Sequence, residues 1–412
     1  ADDQLRFLKV PHLARPKAQS DFPIGPNDRW AGWRPATDDD AQNCTAVGYY
    51  FARRLRQVLR VPVGLVDISW GGTMAQHWAS QKSLSRIPEM KPYFDDFQTK
   101  MAKWNEGGGE EGAKKRYEAE LKTWEAAKAA AEAEGKRAPR RPRLQGNPGE
   151  QRQPSGMFHA MVLPLAKLSV RGVLFYQGEN NSFGTSWKPF YASFPSVVRD
   201  WREVFESPKM PFGIIQIAGW SNRRTMTYDM NHHTNVVREI QFDTWRKTPG
   251  TGLIVTYDTN SNGSIHPASK RPIGERSARW ALAEVYSIQG ARSKKAIEWK
   301  GPVYESMRVD NGKIIVSFEE DGARGLRLNK DDARGFYIAG ADRVFRHAKA
   351  RVQGREVVVW SDDVKEPVAV RYAVSNLPNG TLLNGRELPA YPFRTDDWPI
   401  VPHQSTGEYR RK

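Results

Sequence analysis

Cysteine is almost missing from this chain: one residue in 412, Cys44, excludes an intramolecular disulfide framework and leaves the redox compartment open. Alone in its neighbourhood, it reads as a small buried hydrophobe rather than a reactive thiol. No apolar run approaches the roughly 20 residues that a membrane helix requires, so no bilayer span is expected. Zinc-finger spacings and RNP-like motifs are also missing, which argues against a nucleic-acid reader despite the basic balance. Acidic residues are in deficit: 47 Asp and Glu face 63 Lys and Arg, leaving a net charge of +16. Such a field attracts polyanions, whether nucleic acid, anionic lipid or acidic polysaccharide, without saying which. A starting methionine is absent too; the chain opens on Ala1 with no signal-like apolar region behind it, and an upstream segment is expected.

What is present describes a globular chain, 39% hydrophobic and 27% charged, longer than one hydrophobic core usually supports. Two domains are expected, residues 1–295 and 296–412. In the first, TAVGYYFARRLRQVLR sets Val47, Tyr50, Phe51, Leu55 and Leu59 at helical spacing behind a possible Thr45 cap. VPVGLVDIS then runs as a strand into the glycine turn WGGT. LFYQGENN, FGIIQIA and TGLIVTYD are further strands, with helices predicted from Phe190 to Val204 and over 273–286. Alternation of this kind indicates an α/β domain with a parallel sheet, whose ligands bind beyond the carboxyl ends of the strands. Between about residues 105 and 154 the composition changes to a flexible GGGEEG lead, an Ala- and Glu-rich helix carrying Tyr117, Leu121 and Trp124 and ending at Gly135, and the basic tract KRAPRRPR. The whole reads as a helical excursion. After about Gly301, alternating strands punctuated by DNG, PNG and LNG turns predict a small antiparallel β domain of sandwich type.

Three polar groups stand at strand ends: Ser69 with Gly71 and Gly72 in DISWGGT, Glu179 in YQGENN, and His266 in NGSIHP. Their order, Ser then acid then His, is that of an α/β-hydrolase triad, which makes Ser69 a candidate nucleophile. Against it, a nucleophile elbow reads GxSxG, and Asp67 here replaces the first glycine. His266 lies in a loop just before an amphipathic helix, where catalytic bases concentrate. The adjacent His232 and His233 are a poor metal pair, since neighbouring residues seldom converge on one ion.

Taken in order, DISWGGTMAQHW, PSGMFHAMVLPL, RGVLFYQGENN, VREIQ and IHPASKRPIGERSARWAL resemble the sialate O-acetylesterases and the related acetylxylan esterases, which are SGNH-type hydrolases; the segment from VAVRYAV to RTDDWP is similar to their C-terminal end. The resemblance implies an SGNH, flavodoxin-like parallel sheet flanked by helices, and removal of acetyl esters from a sugar, sialic acid or a polysaccharide, by serine-type hydrolysis with no cofactor and no metal. His266 matches the family's base. Many SGNH enzymes place an aspartate three residues earlier, where this chain has Gly263, so the orienting carboxylate is expected to be Glu179, with Asp258 as the alternative. Gly71 or Gly72 matches the glycine whose N–H helps hold the oxyanion, and Gln177 and Asn181 could add a donor; Asn180 is read as only satisfying loop backbone groups, and His159 as a pocket wall. Arg238, Glu239 and Gln241 of VREIQ lie near the site in the family pattern, and a structural salt bridge is at least as good a reading there as substrate contact.

One family feature is lacking: the GQSNM-like block that carries the nucleophile on the first strand does not occur in these residues. The serine is therefore expected upstream, on an N-terminal fragment of the same precursor that also completes the sheet. The expected partners are that fragment and an acetylated carbohydrate, and the substrate class suggests an extracytoplasmic, secreted or periplasmic location. The rival expectations are a catalytically silent carbohydrate-binding protein and a hydrolase using Ser69.

Overall fold

The computed structural model describes residues 2–24, 32–37, 42–220, 234–259, 264–290, 295–329 and 333–399. The parallel strands come first. β1 (Asp2–Lys9) pairs antiparallel with the short β2 (Arg34–Ala36) and, after helix α1 (Ala46–Leu59), parallel with β3 (Val63–Asp67). Helix α1 starts where its cap was expected, with the Thr45 hydroxyl accepting from the Gly48 N–H at 3.5 Å. Two long helices follow, α2 (Lys91–Glu106) and α3 (Gly109–Ala133). The chain then alternates through β4 (Val173–Tyr176), α4 (Phe190–Val204), β5 (Phe212–Ile215), α5 (Thr234–Lys247), β6 (Thr251–Ile254) and α6 (Arg271–Trp280).

Among the described residues, these strands form two three-stranded sheets, in the orders β2–β1–β3 and β4–β5–β6. Among the described residues, β3 is laddered only to β1, and β4 only to β5. The period-2 geometry of a strand then sorts the side chains: Phe175, Phe212, Ile214 and Leu253 face the core under α4 with Phe194 and Trp201, whereas Leu174, Tyr176, Ile215 and Ile254 face the cluster built by α1 and α6. On that second face, Gly213 and Gly252 are register partners in β5 and β6. A Cβ on Gly213 would lie 2.6 Å from the Trp280 ring, and one on Gly252 2.1 Å from its Nε1. The paired glycines thus carve the slot that the Trp280 indole fills, which is why residues that weaken a strand occupy its centre.

Two sequence expectations need correction here. The GGGEEG stretch is not a flexible lead: Gly107 and Gly108 alone separate α2 from α3, and Gly109 onward is already helical. Gly108 and Gly109 adopt φ of +80° and +58°, and a Cβ on Gly112 would stand 1.8 Å from the Gly107 carbonyl, which Arg116 also binds at 2.7 Å. Glycine makes a tight reversal there rather than a linker. The helix expected over 273–286 is α-helical only to Trp280 and then widens into a π turn, Ala281–Val285, closed by the Tyr286 N–H on the Ala281 carbonyl at 3.0 Å.

From Tyr304 on, the described strands pair antiparallel. β7 (Tyr304–Asp310), β8 (Lys313–Phe318), β12 (Lys349–Gln353) and β13 (Glu356–Trp360) make one sheet in the order β12–β13–β8–β7. β10 (Phe336–Ala339), β11 (Arg346–His347), β14 (Ala369–Tyr372) and β16 (Phe393–Arg394) make another, ordered β11–β10–β14–β16, while β9 (Arg327–Leu328) pairs with β15 (Leu382–Leu383). The DNG turn joins β7 to β8 with Asn311 and Gly312 both at positive φ, 46° and 70°, the geometry that twists a two-residue hairpin correctly. Tyr304 and Phe318, from one sheet, pack on Phe393 from the other. One buried cluster continues from these residues to the core beneath α4, so the antiparallel part and the parallel part share apolar packing.

Candidate active site

The site is built where β3, β4 and β6 end. Past β4 the chain turns sharply: Gly178 has φ +143°, and a Cβ there would meet Val237 at 2.8 Å and Ile217 at 3.0 Å, so only glycine lets the strand exit between α5 and the segment after β5. Glu179 follows and opens a single turn, with the Ser182 hydroxyl and N–H both donating to its carbonyl at 2.6 and 3.1 Å. Burial raises the pKa of the Glu179 carboxyl, opposed by hydrogen bonds from nearby N–H groups and by Lys270. Burial in turn lowers the pKa of Lys270, against the pull of Glu179, and the Lys270 ammonium stands 5.9 Å from the centre of the Tyr176 ring.

Lys270, four residues after His266, thus lies at the end of β4. His266 is exposed, and its N–H is held by the Ser264 hydroxyl at 3.0 Å. Asp258, the alternative carboxylate, is occupied: Arg276 clamps its two oxygens at 2.7 and 2.5 Å and reaches the Val255 carbonyl with the same nitrogen. Gly263, His232 and His233 lie outside the described residues.

The loops after β3 and β4 are sewn together by amides. Gln177, buried, donates to the Thr73 carbonyl at 3.1 Å and to Asn181 Oδ1 at 2.9 Å, and its own Oε1 has no hydrogen-bond partner among the described residues. Asn181 is fully buried and engaged at both ends: it accepts from the Ala75 N–H and donates to Gln76 Oε1 and the Ser186 carbonyl. Asn180 donates to the Gly72 carbonyl, tying its loop as expected. Gly71 and Gly72 are exposed at the rim; nothing lies within 4 Å of a Cβ built on Gly71, and Gly72 has φ +78°.

Ser69 sits beside this cluster but in other company. Its hydroxyl donates to Asp67 Oδ1 at 2.5 Å, and its carbonyl accepts from His12 Nε2 at 3.0 Å. His12 stacks on Trp70 with ring centres 4.9 Å apart. The Ser69 proton is therefore directed at a carboxylate in its own turn, not at an imidazole.

The VREIQ residues serve the frame. Arg238 is buried and donates to the Ala218 and Ser375 carbonyls, and burial lowers its pKa to about 9. Glu239 forms an ion pair with Arg394 at 2.9 Å, the structural salt bridge anticipated for this motif. Gln241 accepts from the Ile217 N–H at 3.0 Å and donates to the Gln177 carbonyl at 2.9 Å, locking the strand ends of β4 and β5 to α5. His159 shares its Nδ1 with the Arg15 carbonyl at 3.1 Å, and burial lowers its pKa. Gln76, Gln151 and Lys270 were not anticipated. Gln151 donates to the Gly71 carbonyl from far along the chain.

With this arrangement in view, the comparisons take their meaning. Residues 151–283, which contain β4, Glu179, His266 and α6, match the model of the family described as carbohydrate esterase, sialic acid-specific acetylesterase. The crystal structure of a carbohydrate acetylesterase from Xanthomonas citri superposes with a TM-score of 0.73 at 29% identity, covering 96% of this chain and 74% of that one. In fold and sequence this chain is thus similar to that carbohydrate acetylesterase. Its curated relatives are sialate O-acetylesterases: that of Mus musculus is 24% identical over 81% of this chain and 59% of its own length, and that of Homo sapiens 23% identical over 72% and 48%. The chain therefore spans about half the length of the curated relatives it matches.

Proposed function

We propose that this protein is a carboxylic ester hydrolase that removes acetyl groups from a carbohydrate, with His266 as general base and acid and Glu179 as the carboxylate that orients it. What supports the reading is that Lys270, four residues after His266, stands 5.9 Å from the centre of the Tyr176 ring and interacts with the partly desolvated Glu179 at the end of β4. Asp258, committed to Arg276, is a poor second choice for that role. In the reaction, His266 takes the proton of a serine hydroxyl as it attacks the acetyl carbonyl, the oxyanion lies at the open Gly71–Gly72 turn, and His266 returns the proton to the leaving sugar hydroxyl before water repeats the cycle.

Ser69 is not that serine in this reading, because its hydroxyl already donates to Asp67. The nucleophile belongs to a strand outside the described residues that fits between β3 and β4. Supporting this, the two strands expose unladdered edges while their following loops are hydrogen-bonded to each other, and Val63, Leu65, Leu174 and Tyr176 on them are only half-buried. The substrate's usual setting makes an extracytoplasmic location part of the proposal.

The test is hydrolysis of p-nitrophenyl acetate and of an acetylated oligosaccharide by the purified protein, with intact mass recorded to identify any accompanying peptide. His266→Ala and Glu179→Gln should each lower turnover by about 10²–10⁴-fold, with Ser69→Ala within about twofold of the parent. Loss of turnover in Ser69→Ala with the fold retained would transfer the nucleophile to Ser69, and sugar binding without any turnover in the presence of the missing strand would favour a silent carbohydrate-binding protein.

A further inference from the structure

The basic tract of the helical excursion, KRAPRRPR over residues 136–143, holds five cations in eight residues, and no acidic residue occurs from 135 to 149. Pro139 and Pro142 keep it from continuing the helix, and it returns along the face of α3 that carries the half-buried Tyr117, Leu121 and Trp124. The Trp124 indole N–H donates to the Pro139 carbonyl at 2.9 Å. Lys128 and Arg141 stand 5.6 and 5.8 Å from the centre of the same ring. The tract is therefore pinned to the helix through its backbone, and a groove of about 450 Å³ lies between the two. Arg137, Arg140 and Arg143 point their charge to solvent, with no carboxylate within ion-pair distance among the described residues.

The far end of this limb reaches the site. Asn147 accepts from the Gly149 N–H at 2.8 Å, and Gln151 donates to the carbonyl of Gly71 in the rim turn. From Arg143 to Gln151 the chain spans at most on the order of 27 Å. We propose that residues 136–143 are a docking rail for an acidic polysaccharide, whose carboxylate or sulfate groups bind Arg137, Arg140 and Arg143 and whose backbone is thereby led toward the Gly71–Gly72 turn. A single-stranded nucleic acid would need exposed rings to stack its bases, and the one indole in the limb's groove is already flanked by Lys128 and Arg141. The choice of a polysaccharide rests on the esterase reading; the binding of a polyanion does not.

The experiment measures binding of the full chain to polygalacturonate, to a neutral xylan and to duplex DNA at low and physiological salt. The triple variant Arg137→Ser, Arg140→Ser, Arg143→Ser is compared with a charge-matched control, Arg351→Ser, Arg355→Ser, Lys365→Ser, in the antiparallel part. Expected is polygalacturonate binding that weakens with salt, falls on the order of tenfold or more in the limb variant, and is kept in the control. Equal loss in both variants means a diffuse basic field and overturns the proposal, as does unchanged binding in the limb variant. Tighter binding of DNA than of polygalacturonate through the same three arginines overturns the choice of partner. Because none of these readouts uses turnover, an absence of esterase activity would leave the result intact.

Discussion

Replacing Asp396 by Asn tests how the antiparallel part is held to the helix that locks the site. Arg371 on β14 donates to Asp396 through Nε at 2.8 Å and Nη2 at 2.7 Å, with side-chain exposures of 6% and 1%. Arg371 also lies flat against Phe345, 4.1 Å from the ring centre. Arg394 shares Asp396 at 3.4 Å while bridging to Glu239 on α5. An asparagine keeps the shape, removes the negative charge and turns an amide N–H₂ or a neutral oxygen toward a buried guanidinium. Breaking a buried pair from one side costs about 3–5 kcal/mol, because the remaining charge is stranded away from water. The unfolding midpoint of Asp396→Asn should fall by on the order of 10 °C, and guanidinium titration should give the same loss of free energy. Arg371→Met combined with Asp396→Leu removes both charges and should recover most of that loss. A single variant within about 1 kcal/mol of the parent, or a double variant less stable than the single, would refute the argument that the cost is a stranded charge.

Three further outcomes follow from particular contacts. Gly252→Ala sets a methyl into the Trp280 indole, and should cost about 1–3 kcal/mol by equilibrium denaturation; a neutral result would mean the slot is not tight. His77 is buried, with Nδ1 accepting from the Met74 N–H and Nε2 bonded to the Tyr93 hydroxyl, and burial holds its pKa at about 3 against 6.5 in the unfolded chain. The unfolded state therefore takes up the extra proton first, and stability falls as pH drops below 6.5 by roughly 1.4 kcal/mol per unit, about 2 kcal/mol by pH 5. In His77→Gln that slope should shrink, which urea titrations at a series of pH values measure; an unchanged slope would place the effect elsewhere. Burial, with Asp67 adding to it, pushes the Cys44 thiol up to about 12, so at pH 8 only roughly one molecule in ten thousand carries a thiolate. Reaction with a disulfide reagent should accordingly be slow in the native protein and fast in denaturant.

Much of the parallel part was legible because its signals are local. Helix α4 spans Phe190–Val204 as its periodicity predicted, and β4, β5 and β6 occupy the short apolar runs. Glycine was one cause of misreading, beside the π turn that ends the helix expected over 273–286. A GGG run encodes a loose linker and a tight reversal equally well, and only the Gly112 contact with the Gly107 carbonyl decides between them. Gly213 and Gly252 likewise look like weak points in strands until Trp280 is seen lying across both.

The sequence by itself determined the alternation of strand and helix, the switch to antiparallel strands near residue 301, and which polar residues end strands, since each depends on chemistry within a few residues along the chain. Only the tertiary structure decided what those residues do to one another. Arg276 clamps Asp258, Lys270 stands over the Tyr176 ring at the end of β4, Asp67 accepts from the Ser69 hydroxyl, and Gln151 joins the basic limb to the Gly71 carbonyl. Apart from the Asp67–Ser69 bond, these partnerships form between groups distant in sequence, where burial and charge set the outcome, and no local pattern encodes which side chain arrives first.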